Sequence, residues 1–205
     1  MTAAGRIVLA SGNAGKLAEI QALLAGARFE LLPQSQWDVP EVEETGTTFV
    51  ENAIIKARHA ALHASLPAIA DDSGLEVDIL SGAPGVRSAR FAGAAADDAA
   101  NNRLLLERLS GIPPADRTAR FRCVMVYLPF AQSPAPLICE ATWEGHIAEA
   151  ASGDGGFGYD PLFVPAGERR SSAELAPDEK NRLSHRGQAL RLLVALLAGE
   201  HPPTV

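Results

Sequence analysis

The sequence is poor in cysteine and in aromatic residues: it has 2 cysteines, and phenylalanine, tyrosine and tryptophan make up 5% of its 205 residues. Cys123 and Cys139 do not have the spacing of a zinc site, and the sequence has no CxxC motif. Both cysteines lie in apolar runs, the usual setting of a buried free thiol. A disulfide between them is the less favoured alternative, which the sequence leaves open.

Long hydrophobic runs are also missing. No apolar stretch reaches the roughly 18 residues that a membrane-spanning helix needs. The apolar run in the N-terminal MTAAGRIVLASGN is far too short for a signal peptide. We therefore expect a cytoplasmic protein with no membrane partner.

The sequence has no long run of lysine or arginine. Its 18 basic and 25 acidic residues give a net charge of -7. A protein that neutralises the phosphates of a duplex needs a dense basic surface, so we expect no nucleic acid as partner. A small anionic ligand needs only a few local cations, and phosphate chemistry therefore stays possible.

Hydrophobic residues are plentiful at 47% of the chain, enough for a sizeable core. The length suits one domain, which can have two lobes. We predict that residues 1–199 form this domain and that residues 200–205 are a frayed C-terminal tail.

The stretch PAIADDSG, residues 67–74, joins a short apolar run to Asp71 and Asp72. We predict a buried strand that ends at these aspartates, followed by a turn at Ser73 and Gly74. Ligands of open α/β sheets bind beyond the carboxyl ends of strands, and an acid pair there is stable beside a hard cation such as Mg²⁺. The alternative is a solvated turn, since these residue types also favour turns.

A strand at 6–10 is followed by the loop Ser11-Gly12-Asn13-Ala14-Gly15 and by a helix that opens at Lys16. Backbone N–H groups at such a helix start favour an anion, and a lysine in the first turn favours a phosphate. The loop is not a P-loop, because Ala10 and Leu17 replace the required Gly and Ser/Thr. An ordinary βα turn is the alternative.

Glu43 and Glu44 precede a predicted helix, and their carboxylates are either solvated or bound to a metal. Thr48 and Glu51 match a capping box, so we expect this helix to open near Thr48 and to carry Lys56.

Residues 153–160 hold four glycines and two aromatic residues. Glycine lets the backbone approach a ligand closely, and Phe157 has the flat ring that stacks on a base. The alternative is a long mobile loop. Lys180, His185 and Arg186 gather before a last helix predicted at 188–198, where cations suit an anionic or polar ligand.

The remaining patterns predict a helix that starts at Asp97 or Asp98 and ends near Leu109. They also predict strands at 28–32, 75–80, 118–128, 136–144 and 162–164. Together, the acids, lysines and glycine-loop aromatic residue suit Mg²⁺, a polyphosphate and a planar base.

Five segments in this order resemble a known family: SGNAGKLAEI, EETGTTFVENAIIKARHAA, AIADDSGLEVDILSGAPGVRSARFAG, GDGGFGYDPLF and EKNRLSHRGQAL. They are similar to the signatures of the non-canonical purine nucleoside triphosphate pyrophosphatases, the inosine/xanthosine triphosphate pyrophosphatase family, from about Ile7 to Leu197. The resemblance implies an α/β fold with a long twisted mixed β-sheet flanked by helices, two lobes with the active-site cleft between them, and a homodimer.

The resemblance further implies Mg²⁺-dependent hydrolysis of dITP, ITP and XTP to the monophosphate and pyrophosphate, which prevents their incorporation into DNA and RNA. It makes Asp72 the proton acceptor and a metal ligand, with one of Glu43 and Glu44 as a second ligand. The substrate contacts that it implies are Ser11, Gly12, Asn13, Ala14, Gly15, Lys16 and Lys56 at the triphosphate, then Ser73, and Phe157, Gly158, Tyr159, Asp160, Lys180, His185 and Arg186 at the base and sugar.

Specificity would depend on the purine. Donors from His185 or Arg186 suit the C6 oxygen of hypoxanthine and xanthine and pair badly with the amine of adenine. Rejection of GTP would need a pocket too tight or too rich in donors for the 2-amino group. The rival hypotheses are a nucleotide-binding module without catalysis and, less favoured by the charge, a nucleic-acid-binding protein.

Overall fold

The computed structural model describes residues 5–24 and 29–199. The predicted tail at 200–205 lies outside the described residues, as does residue 28, the predicted start of the second strand. No helix in the described part is long and apolar enough to cross a membrane.

The α-helices and strands alternate along most of the chain. In order they are β1 (Gly5–Ala10), α1 (Ala14–Leu23), β2 (Phe29–Pro33), α2 (Phe49–Ala64), β3 (Ala68–Val77), α3 (Asp98–Arg108), β4 (Thr118–Leu128), β5 (Leu137–Ile147), β6 (Phe163–Pro165), α4 (Pro177–Leu183) and α5 (His185–Leu197).

The strands form a mixed sheet in the order β2-β1-β3-β4-β5-β6. Strand β1 pairs in parallel with both β2 and β3, and β6 pairs antiparallel with β5. The predicted α/β class, a mixed sheet flanked by helices, is confirmed. The predicted strand at 118–128 is confirmed as β4, and β5 is its neighbour in the sheet.

Strand β3 corrects one prediction. It runs without interruption from Ala68 to Val77, so the predicted turn at Ser73 and Gly74 and the separate strand at 75–80 are wrong. Residues 78–80 form a short 3₁₀ helix instead. Turn propensity is a local preference, and pairing in the middle of a sheet overrides it; Gly74 is itself buried here.

The helix starts follow their capping residues. Thr48 and Glu51 form the predicted capping box of α2. Helix α1 begins at Ala14, two residues before the predicted start, because the Asn13 side chain accepts a hydrogen bond from the Lys16 N–H. Helix α5 begins at His185 instead of Gln188, and α4 was not predicted.

The chain divides into two compact units. Of the described residues, the first comprises 5–24, 29–72, Cys123–Ala141 and 186–199, and the second comprises Ser73–Arg122 and Thr142–His185. Each has its own apolar core. The larger buried side chains of the first are Ile7, Leu9, Ile20, Ile69, Met125, Leu190 and Leu193, and those of the second are Leu75, Leu105, Leu109, Phe121, Trp143, Leu162 and Phe163.

Both cysteines lie buried in the core of the first unit as free thiols. The alternative of a disulfide between them therefore does not hold. Burial, reinforced by the Asp71 carboxylate, raises the pKa of Cys123 to about 12.

Candidate active site

Asp71 and Asp72 lie just beyond the carboxyl end of β1. The last residue of β1, Ala10, pairs with Ala70 of β3, so the next two residues of β3 extend past the end of the neighbouring strand. Both aspartates are buried, with 1% and 5% of their surface exposed. The prediction that their own strand ends at these aspartates is therefore wrong, since β3 continues to Val77; the two acids lie beyond the end of the neighbouring strand β1.

Two cations hold Asp71. Its Oδ2 lies 2.9 Å from Lys16 Nζ and 3.6 Å from Arg186 Nε, and Arg186 also donates a hydrogen bond to Glu19. Burial alone would raise the pKa of the Asp71 carboxyl, but Lys16 and Arg186 hold that pKa well below its usual range. The lowered pKa keeps Asp71 ionised at neutral pH, where its carboxylate orients Lys16 and Arg186.

Asp72 has a different environment. Its Oδ1 accepts a 2.7 Å hydrogen bond from Lys56 Nζ, and its Oδ2 accepts a longer one, 3.4 Å, from Asn52 Nδ2. Burial raises the pKa of Asp72 although Lys56 and Lys16 oppose the change. Of the two adjacent carboxylates, Asp72 therefore has the higher pKa.

Lys56 joins Asp72 to the carboxylate-rich loop before α2. Its Nζ lies 2.9 Å from Glu44 Oε1, whereas Glu43 is exposed. Burial would lower the pKa of Lys56, but Asp72, Asp71 and Glu44 together raise it. Lys56 thus stays charged, and its ammonium nitrogen contacts the carboxylates of both Asp72 and Glu44.

The glycine-containing loop connects β1 to α1. Ser11 Oγ accepts a hydrogen bond of 3.2 Å from the Asn13 N–H. Gly12, Asn13 and Ala14 are exposed, and a side chain added at Gly12 would meet no atom within 4 Å. The loop is therefore open to solvent at Gly12. Gly15 belongs to the first turn of α1.

A second cluster lies in the second unit around the buried Asp160. Its Oδ2 accepts hydrogen bonds from Lys180 Nζ at 2.6 Å and from the Phe157 N–H at 2.8 Å, and its Oδ1 accepts one from Ser172 Oγ at 2.9 Å. Lys180 Nζ also lies 5.0 Å from the centroid of the Phe157 ring, within cation–π range. The predicted Phe157, Asp160 and Lys180 therefore do come together.

The next two residues of the loop are held by other elements of the same unit. Gly158 donates its N–H to Asp98 Oδ2 at 2.6 Å and accepts a bond from Asn102 Nδ2 at 2.9 Å. The buried Tyr159 donates its hydroxyl to the Ser88 carbonyl at 2.8 Å, and burial raises its pKa. Hydrogen bonds thus hold the loop at Phe157, Gly158 and Tyr159 in succession.

Packing within the protein, and not the expected approach of a ligand, accounts for two glycines of this loop. A Cβ at Gly155 would lie 2.7 Å from the Ala173 carbonyl oxygen, and a Cβ at Gly156 would overlap the Asp160 carboxylate. Close approach of the chain to itself explains both, so neither needs a ligand to account for it. Gly158, in contrast, has open space around its Cβ position.

The other predicted residues are distributed as follows. The His185 ring is buried and stacks on Phe121 in the second unit, with centroids 4.8 Å apart. Arg186, predicted to lie with the base-binding residues, has its described contacts in the first unit with Glu19 and Asp71. Ser73 is half-buried on β3.

Asn52 and Asp98 have no site role predicted from the sequence. Asn52 lies three residues after Phe49 on the buried face of α2, where a polar residue is unusual. This polar residue at an apolar spacing is the sequence feature that could have indicated a buried hydrogen-bond partner. Asp97 and Asp98 offer two acids where a helix needs one N-cap; Asp97 is the cap, which leaves Asp98 for Gly158.

The carboxylates near Lys56 are oxygen donors of the kind that a divalent cation needs. No group of three or more His, Cys, Asp or Glu side chains suited to a metal is present among the described residues. Mg²⁺ is commonly held by one or two carboxylates, with water and substrate phosphates completing the shell. Glu44 and Asp72, which share the Lys56 ammonium, fit such a site.

The fold and this site define an α/β protein with a buried carboxylate–lysine cluster beyond a parallel strand. The chain belongs to the Ham1 family, whose model matches residues 7–196. It is 59% identical over 194 residues to the dITP/XTP pyrophosphatase of Thioalkalivibrio sulfidiphilus, covering 95% of this chain and 99% of that protein. The corresponding protein of Escherichia coli O157:H7 is 52% identical over 192 residues, covering 94% and 98%.

Solved structures agree with these matches. A HAM1 protein from Coxiella burnetii superposes with a TM-score of 0.88 at 52% identity, covering 95% of this chain and 99% of that one. The Ham1 protein of Staphylococcus aureus gives 0.84 at 39% identity, covering 96% and 100%. The family resemblance of the five sequence segments is confirmed.

Proposed function

We propose that this protein is a nucleoside-triphosphate pyrophosphohydrolase that cleaves dITP, ITP and XTP into the monophosphate and pyrophosphate. The names of its relatives support this activity. Such hydrolysis removes deaminated purine triphosphates before they enter DNA or RNA. The observation that carries the proposal is the pair Asp71–Asp72, in which each carboxylate contacts its own lysine.

The triphosphate binds the β1–α1 loop and the two lysines. The N–H groups at the start of α1 and the helix dipole favour an anion there. Lys16 and Lys56 are already charged and already ordered by carboxylates, so phosphate oxygens meet them with little loss of side-chain freedom. These lysines neutralise the charge that develops on the leaving pyrophosphate.

Asp72 accepts the proton of the attacking water. The water oxygen forms a bond to the α-phosphorus, the bond from that phosphorus to the bridging oxygen breaks, and pyrophosphate leaves with the electron pair. The raised pKa of Asp72 brings its basicity closer to that needed at neutral pH.

Mg²⁺ is the proposed cofactor, held by Asp72 and by Glu44 in preference to Glu43. The contact of Glu44 with Lys56, which also contacts Asp72, supports this choice, since Glu43 is exposed. When bound, the ion would neutralise phosphate charge and make a coordinated water more acidic.

The purine binds the residues of the second unit, with Phe157 offering a ring to stack on and Lys180, Asp160 and His185 offering polar groups. Donors suit the C6 oxygen that hypoxanthine and xanthine share and reject the adenine amine. The predicted base contact of Arg186 stays a prediction, as do those of Gly158 and Tyr159.

We further propose that the protein is a cytoplasmic homodimer. Light scattering coupled to size-exclusion chromatography measures the mass directly. A mass near twice the 21.5 kDa of the chain is expected, and a monomer would contradict the proposal.

The decisive experiment is a pyrophosphate-release panel with dITP, ITP, XTP, GTP and ATP, each with Mg²⁺, with Mn²⁺ and with EDTA. We expect release from the first three with Mg²⁺ and little from GTP or ATP. Equal release from GTP and ATP would contradict the specificity. No release from any nucleotide would favour the rival, a binding module without catalysis.

A further inference from the structure

The loop Phe157–Tyr159 is attached to helix α3 through one residue, Gly158. Both of its backbone polar groups bond to α3: the N–H to Asp98 Oδ2 at 2.6 Å and the carbonyl to Asn102 Nδ2 at 2.9 Å. Asp98 and Asn102 are four residues apart, one helical turn, and therefore lie on the same face of α3. One helix face thus holds the peptide groups on both sides of this glycine.

The consequence for Phe157 follows from the chain geometry. The Phe157 N–H is held by Asp160, and the peptide that follows its ring is held by Asp98. With both flanking peptides fixed by these two carboxylates, the direction in which the Phe157 side chain leaves the backbone is fixed as well. Gly158 has a φ of 62°, a left-handed conformation that glycine adopts readily and that a residue with a side chain adopts only with strain.

We propose that Asp98 is a positioning residue for base recognition: it fixes the Gly158 peptide and thereby the Phe157 ring on which the purine stacks. This inference rests on the proposed function, because it assigns Phe157 to the base. Asp98 itself does not need to touch substrate. Its effect should appear in substrate affinity and not in the chemical step at Asp72.

The neighbouring acid supplies a matched control. Asp97 is the N-cap of α3, and its Oδ1 accepts the Ala100 N–H at 2.7 Å. Asp97→Ala removes the cap and leaves the bond from Gly158 to Asp98 in place. If Asp98 acted only by stabilising α3, the two alanine variants would have similar kinetic effects.

The experiment measures KM and kcat for dITP, the thermal midpoint, and inhibition by pyrophosphate, which has no base. Asp98→Ala should raise KM about three- to ten-fold with kcat within about two-fold, as expected for loss of one charge-assisted hydrogen bond. Pyrophosphate inhibition should not change. Asp98→Asn retains an acceptor oxygen and should recover most of the wild-type KM, whereas Asp97→Ala should lower the midpoint and leave KM unchanged.

Three results would overturn the inference: an unchanged KM in Asp98→Ala, a loss of kcat in place of the rise in KM, or the same rise in KM in Asp97→Ala. If Asp98→Ala does not fold, Asn102→Ala tests the carbonyl side of the same peptide and should raise KM by a smaller factor; an unchanged KM there would then overturn the inference. Failure of the wild-type protein to hydrolyse dITP would refute the proposed function separately, since that result does not depend on any variant.

Discussion

Asp71 and Asp72 are adjacent in the chain, yet their carboxylates contact different lysines, Lys16 at 2.9 Å and Lys56 at 2.7 Å. Successive residues of a strand point to opposite faces, so neighbouring acids can enter separate environments. Asp71 gains a second cation in Arg186 and has its pKa lowered, while burial raises the pKa of Asp72. One anion is suited to ordering cations and the other to accepting a proton.

Asp72→Asn removes the proposed proton acceptor and keeps the shape of the side chain. We expect kcat for dITP to fall by roughly 10²- to 10⁴-fold, the usual contribution of a general base. Binding of dITP, measured by titration calorimetry, should survive because Lys16 and Lys56 remain. Unaltered turnover would reject the assignment of Asp72 as the base.

The adjacent Glu43 and Glu44 provide a control variant and a test variant for the proposed metal ligand. Glu44→Gln should increase the Mg²⁺ concentration required for half-maximal activity by about ten-fold or more. Even the loss of a group that only orients a metal ligand typically lowers metal affinity by at least that factor. Glu43→Gln should leave this concentration unchanged. The reverse pattern in a Mg²⁺ titration would assign the ligand to Glu43.

Asp71→Asn should destabilise the protein, because Lys16 and Arg186 would keep their charges in a buried site without this carboxylate. Loss of one member of a buried ion pair costs roughly 3 kcal/mol. Asp78→Asn is the control, since Asp78 pairs with Arg120 at the surface and should cost below about 1 kcal/mol. Urea unfolding measures both, and equal losses would contradict the distinction.

Gly156→Ala places a methyl group on the Asp160 carboxylate that holds Phe157 and Lys180. We expect a loss of roughly 2 kcal/mol or more, from overpacking added to a φ of 73°. Gly158→Ala, with a φ of 62° but open space, should lose only roughly 1 kcal/mol from backbone strain. Equal free energies of unfolding for the two variants would show that the contact with Asp160 is not close.

The thiols give a chemical test of the core. Cys123 and Cys139 are buried, and burial raises the pKa of both, to about 12 for Cys123. Only the thiolate reacts readily, so neither should react with Ellman's reagent at pH 8 in the folded protein. Two thiols per chain should react once guanidinium is added without reductant. Any reaction in the folded state would place a cysteine outside the core.

Local features of the fold could be predicted from the sequence. The capping box of Thr48 and Glu51 and the strand at 118–128 depend on residues a few positions apart, and both predictions are confirmed. The same local reasoning failed at Ser73 and Gly74, because pairing within the sheet continues β3 through residues that favour a turn. It also missed α4, a short helix with a proline in its first turn.

The sequence by itself determined which residue types this protein brings to its chemistry: the adjacent Asp71 and Asp72, the lysines, and the glycine-rich loop 153–160 with its aromatic residues. Only the tertiary structure decided their partners, such as Lys16 for Asp71 and Asp98 for Gly158. The physical reason is range. Capping and periodicity act within one or two turns of chain, whereas an ion pair or a buried hydrogen bond joins residues that are distant in sequence and meet only when the core has packed.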